Sequence, residues 1–320
     1  MKLLVPISYF QGLPRSEIWI LDTVTGQKNR VFYQETVSER AVDGKGITGL
    51  AWLKEGVLVA CDFNQVWLIN SSDYSVTALL QDNEFNDLHQ VSVVSNQILV
   101  SNTGRDSVDV LNGNLSFNTR HGMLSDSDLN DRILGNYKIR GKYYDRPQQN
   151  TEFFRRKVPD NYHINHSIMV DGRLLITCFK QKVLIDALTG EVVSNEFDTQ
   201  PHDGFIHADS IWVTTVAGKV YRSTLAFPLR FVEVIDMADR GPFKGWCRGL
   251  AILNNKIFIG ITAVKEITER TAWLKVPSAT TKTGIYQLNL NSMDVEFFFD
   301  FTNRDGSRIF TFIQAEPYVA

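Results

Sequence analysis

A chain of 320 residues with 43% hydrophobic content is long enough to bury a large core, as one big domain or two ordinary ones. A formal net charge of −3 and a pI near 6.1 argue against nucleic acid or an anionic membrane as the main partner. The three cysteines, Cys61, Cys178 and Cys247, are too few and too far apart for a disulfide framework, and no run approaches the ~18 apolar residues of a membrane span.

The N-terminus, M-K-L-L-V-P-I-S-Y-F-Q-G, carries one Lys and a short apolar run broken by Pro6, so it reads as a strand rather than a signal peptide. A soluble, cytoplasmic protein is the expectation. The next element, E-I-W-I-L-D at Glu17–Asp22, is the first copy of a signature that returns five times. The later copies are Q-V-W-L-I-N at Gln65–Asn70, S-V-D-V-L-N at Ser107–Asn112, K-V-L-I-D at Lys182–Asp186, K-V-Y-R-S at Lys219–Ser223 and G-I-Y-Q-L-N at Gly284–Asn289. Their first β-branched residues lie 48, 42, 75, 37 and 65 residues apart. Three of those intervals approach the ~40–50 residues of a four-stranded propeller blade, and the two long ones require insertions.

A second sentence precedes the signature. Thr48, His89, His166, His202 and Arg248 each open an apolar strand that turns at a polar pair into a second strand. From Thr48, His89, His202 and Arg248 the twelfth residue is an aliphatic (Val59, Val100, Val213, Ile259); His166 reaches Ile176 one residue sooner. Asp171-Gly172 and Asn254-Asn255 are suited to tight hairpins. No segment sustains helical periodicity over ~12 residues. A six-bladed, all-β propeller accounts for count, spacing and hairpins together.

The blades run Thr48–Gln81, Leu88–Thr119, His166–Glu196, His202–Asp236 and Trp246–Phe301. The N-terminal segment Lys2–Gln34 supplies three strands of the sixth. Its innermost strand is expected from R-I-F-T-F-I at Arg308–Ile313, which closes the ring without a free edge and makes the chain one domain. Lid-like insertions at about 120–165 and 263–283 emerge at the end where the innermost strands begin. The first carries Tyr137, Tyr143, Tyr144, Phe153 and Phe154 among basic residues. That pattern suits single-stranded nucleic acid or an anionic glycan as well as a lid; the acidic chain favours the lid.

The first residues of innermost strands point into the channel mouth. Three imidazoles converging there from rigid strands, His89, His166 and His202, are how open divalent-metal sites are built, with Zn, Mn or Fe as candidates. A metal-free polar or catalytic cluster and plain structural filling are the other readings. His163, in H-I-N-H, rivals His166; His121 lies in the insertion, and His207 faces away from the channel by alternation. Arg248 can clamp a carboxylate or phosphate. Asp203 and Asp87 can orient imidazoles or simply begin strands. Cys61 and Cys178 read as packing residues, while Cys247 stands next to a cation but on the alternate face.

At W-C-R-G-L-A (Trp246–Ala251) the chain resembles a family of bacterial propeller proteins of unknown function, which implies the fold and a bacterial source but no reaction. More loosely, His89, His166 and His202 are similar to the zinc site of peptidyl-amidoglycolate lyases, six-bladed NHL-type propellers, with Arg248 as a counterpart of their substrate arginine. No NHL repeat is legible, and the Glu/Asn/Asp channel set of gluconolactonase-type calcium propellers is not evident. The expectation is a metal-dependent lyase or hydrolase acting on a small anionic molecule, with a lid tyrosine (Tyr143 or Tyr144) as acid or base. The alternative is a non-catalytic module that binds a glycan, peptide or protein through the same face.

Overall fold

The computed structural model describes residues 1–9, 15–35, 46–122, 162–264 and 281–316. Its strands form six antiparallel sheets arranged as a six-bladed β-propeller. In chain order the first blade holds β1 (Lys2–Tyr9), β2 (Arg15–Asp22) and β3 (Lys28–Glu35). The second is β4 (Gly49–Lys54), β5 (Val57–Cys61), β6 (Gln65–Asn70) and β7 (Val76–Gln81). The third is β8 (Leu88–Val94), β9 (Gln97–Asn102), β10 (Ser107–Asn112) and β11 (Phe117–Gly122). The fourth is β12 (Ile164–Val170), β13 (Arg173–Cys178), β14 (Val183–Asp186) and β15 (Val192–Ser194). The fifth is β16 (Pro201–His207), β17 (Ser210–Thr215), β18 (Lys219–Thr224) and β19 (Val232–Asp236), and the sixth β20 (Trp246–Leu253), β21 (Lys256–Thr262), β22 (Gly284–Asn289) and β23 (Val295–Asp300). Among the described residues, helix is limited to one turn at Met237–Arg240, capped by Asp236, and a 3-10 turn at Thr103–Arg105.

Burial explains the sequence pattern. Second strands such as β17 are buried along their whole length because neighbouring blades cover both faces, so they read as continuous apolar runs. Outermost strands such as β7 are largely exposed and alternate. The core is divided into six apolar clusters, each spanning one junction between adjacent blades. Trp67 packs on Phe32 across the first and second blades, and Phe312 with Leu3 and Phe258 across the first and sixth. The sixth junction is what closes the ring. The six signature strands are β2, β6, β10, β14, β18 and β22, third from the channel in every blade, including the first, whose innermost position is filled from the other terminus.

That innermost strand comes from the C-terminal segment as expected, but it is broken. β24 (Ser307–Arg308) pairs Tyr9 and Ser8, and β25 (Ile313–Gln314) pairs Leu4 and Leu3. Four residues, 309–312, face three on β1, so one residue is extra and the ladder opens there. Two tight hairpins are also as expected: Asp171-Gly172 and Asn254-Asn255 have positive φ at both residues, the turn whose twist matches the flanking strands. One boundary differs. Arg120 and His121 belong to outer strand β11, not to an insertion, since His121 pairs Val108 and Arg120 reaches Asp109. The bodies of both insertions, 123–161 and 265–280, lie outside the described residues.

Candidate functional site at the channel mouth

Five of the six innermost strands carry a one-residue irregularity close to their start. On β8, Leu88 pairs Asn102 and Gln90 pairs Ser101, which leaves His89 unopposed. On β12, Ile164 pairs Cys178 and Ser167 pairs Ile176, so Asn165 and His166 share one position. On β16, His202 and Asp203 share one between Pro201–Thr215 and Gly204–Val213; on β20 the extra residue is Gly249. The broken C-terminal strand is the fifth. A bulge sets two consecutive side chains against one partner and re-aims them. Here the first serves the mouth and the second the channel below.

The mouth layer contains His89, His202 and Arg248 as expected. The ring of His202 lies 6.1 Å from that of His89, and Phe310 stands at 5.7 Å from His89 and 6.5 Å from His202. Phe310 is the wedge of the layer. The Arg248 guanidinium is stacked 4.1 Å from the Phe310 centroid and 4.9 Å from that of Trp246. Two aromatic faces hold the fork flat and attract its charge.

His166 is not in this layer. In register its place belongs to Asn165, whose amide donates to the Pro201 carbonyl, and His166 is one residue further along. It therefore lies on the channel side with Gln90 and Asp203, against Gly204. The third imidazole at the mouth is His163 instead. Its φ of 55° takes the chain through the left-handed region, and its ring lies 5.1 Å from that of His89 and 5.1 Å from Phe179. His89 is thus grouped with His163 and His202 rather than with His166, and among the described residues no group of three or more His, Cys, Asp or Glu side chains is placed to hold a metal ion.

The electrostatics suit acid–base chemistry. His202 Nδ1 is 3.2 Å from Asp203 Oδ2, close enough to favour the protonated ring, although Nδ1 makes no well-aligned hydrogen bond among the described residues. Burial lowers the His202 pKa, opposed by Asp203, and keeps the imidazole neutral. Burial alone would raise Asp203; His202, His166 and the Gly249 amide outweigh it and hold the carboxyl below its ordinary value. The Gly249 N–H donates to Asp203 Oδ2. His89 Nδ1 lies 3.0 Å from the Asp87 carbonyl and 3.9 Å from its carboxylate. Arg308, which donates to the Tyr9 carbonyl, is half-buried by surface yet lowered to about 10 by desolvation, with Asp87 opposing, and stays a cation at neutral pH.

The cysteines take no part. Burial pushes Cys61 up to about 12 and raises Cys178 and Cys247 further, and all three sit in inter-blade clusters. The cation beside Cys247 does not activate it, because the side chain points into the core. His207, at the end of β16, is half-buried and outside the cluster. Tyr143 and Tyr144 lie outside the described residues. Phe310 and Arg308 are the mouth residues that sequence reading missed. Their signal was present, since both lie in the segment assigned to the innermost strand.

No family model matches the chain, and no curated protein matches it in sequence. Solved structures do match. A protein of unknown function from Bacteroides caccae superposes with a TM-score of 0.61 at 12% identity, covering 96% of this chain and 98% of that one. A chain of the nidogen/laminin complex superposes with a TM-score of 0.57 at 9% identity, covering 98% and 97%. The likeness is one of fold. It adds nothing to the resemblance carried by Trp246–Ala251 or to the similarity with NHL-type lyases. Among the described residues no helix is long and apolar enough to cross a membrane.

Proposed function

We propose that the channel mouth binds a small anionic molecule, with Arg248 as its clamp and His202, set by Asp203, as the proton-transfer group of a metal-free lyase or hydrolase reaction. The observation that carries this reading is the Arg248 guanidinium, held between Trp246 and Phe310 beside the His89–His202 pair. A stacked, buried fork is pre-organised for a carboxylate or phosphate and loses little freedom on binding. His202, neutral and buried next to an ionised Asp203, is a base whose imidazolium that carboxylate would stabilise. Arg308 supplies a second positive charge at the same level.

Thermal-shift titration with a panel of small carboxylates, phosphates and sulfates, at constant ionic strength, tests the proposal. At least one anion should raise the melting temperature of the wild type. Affinity should fall about tenfold or more in Arg248→Ala, the loss expected for a charged hydrogen-bonding partner. His202→Ala should retain binding and lose turnover. No anion bound at millimolar concentration, or equal binding to Arg248→Ala, overturns the clamp. Binding without turnover of any bound anion leaves the protein a binding module. A stoichiometric divalent ion lost from His89→Ala and His202→Ala would replace the metal-free reading.

A further inference from the structure

Beneath the mouth, the channel widens into a cavity of about 520 Å³ that opens at the other end of the ring, by the β4–β5 hairpin with Lys54 and Glu55. A volume of that size is in the range of small-molecule sites. Its floor is the second residue of three bulge pairs, Gln90, His166 and Asp203, with Thr311 from the broken C-terminal strand. Its walls are apolar and aromatic, with Trp52, Phe205, Leu250 and Phe312 among them. One polar end and one apolar body are thus built into the shape.

The floor has capacity to spare. His166 is 6% exposed, and its Nδ1 has no hydrogen-bond partner among the described residues. Asp203 is 4% exposed; its Oδ2 takes the Gly249 amide, and no described residue donates to its Oδ1. Gln90 is already committed, donating to Thr311 Oγ1 at 3.1 Å and accepting from the Val91 amide. Buried polar atoms are nearly always satisfied, and those that are not call for a partner from outside the chain. Asp203 is ionised, His166 is held neutral by burial, and the rim carries both Lys54 and Glu55. The floor is therefore an acceptor site with a negative charge, which repels carboxylates and phosphates and favours a cation that donates hydrogen bonds.

We propose that the channel is a second binding site, for a primary amine whose ammonium group is held by Asp203 Oδ1 and His166 Nδ1 and whose apolar body fills the space between Trp52, Phe205, Leu250 and Phe312. It opens on the opposite face from the anion site and does not depend on that reading, although Asp203 belongs to both layers. Isothermal titration with phenethylamine at neutral pH tests it, with phenethyl alcohol and phenylpropionate as matched controls. The amine should bind saturably, with the alcohol about tenfold weaker or more and the carboxylate undetectable. Asp203→Asn should weaken the amine to the level of the alcohol. Ala51→Phe and, separately, Val93→Phe place a ring in the cavity away from the mouth. Each should abolish amine binding while leaving the thermal response to anions intact. The proposal fails if the amine does not saturate, if alcohol or carboxylate binds equally well, or if a folded Ala51→Phe or Val93→Phe protein binds the amine as the wild type does.

Discussion

His166 gives the protein a defined sensitivity to acid. Burial holds its folded-state pKa at about 4, against an ordinary value of 6.5. Above pH 7 both folded and unfolded chains carry it neutral, and it contributes nothing to pH dependence. As the pH falls below 6.5 the unfolded chain takes up the proton while the folded one does not, so stability is lost until the folded pKa is reached. At pH 4.5 the loss from this one group is about 2–3 kcal/mol, a large share of the stability of an ordinary domain. His202 is shifted in the same direction and adds to it. Asp203 contributes above the ordinary carboxylate range and its share is lost only at lower pH, as its depressed folded pKa is approached. The assay is urea unfolding of wild type and His166→Gln at pH 7 and pH 4.5. Glutamine keeps a polar side chain without the titration, so the variant should lose about 2–3 kcal/mol less than the wild type between the two conditions. An equal loss in both proteins would refute the argument, and with it the placement of His166 as a neutral group buried in the channel wall.

Other consequences follow from the same layer. Gly249 has φ +68°, and an added Cβ would lie 2.8 Å from Phe312 Cε1; Gly249→Ala should therefore cost about 1–3 kcal/mol, read as a drop in melting temperature. Phe312→Ala removes a ring buried in the junction that closes the propeller and should cost about 3–5 kcal/mol in the same assay. None of the three cysteines should react with a thiol reagent in the native protein, and all three should react on unfolding, because burial both shields and raises each thiol.

Much of the architecture was legible because it is periodic. The six signature strands, the hairpin at Asp171-Gly172 and the closing segment near Arg308 each repeat a local rule of pattern or turn chemistry, and tertiary packing has little to override. The site was legible only in outline. His89, His202 and Arg248 share a register, and the structure brings them together. His166 falls outside the mouth because its one-residue shortfall to Ile176 is a trace of register and not a variation in length: Asn165 is the true equivalent of His89. A bulge has no compositional mark, so which of two successive residues faces the mouth cannot be read from alternation. His163 is legible only as the rival of His166 in H-I-N-H, and what decides between them is the left-handed backbone at His163, which sequence does not show. Asp203 sits between the two layers, a position that depends on a contact with Gly249, 46 residues away in sequence.

The most direct test of the central claim is a nuclear magnetic resonance titration of nitrogen-15-labelled protein with inorganic phosphate, following the Arg248 Nε–H and the ring nitrogens of His202. Saturable shifts of both resonances at one midpoint, with the Arg248 shift absent from Phe310→Leu, are the expected result. Saturable phosphate binding that leaves Arg248 and His202 unmoved would contradict it.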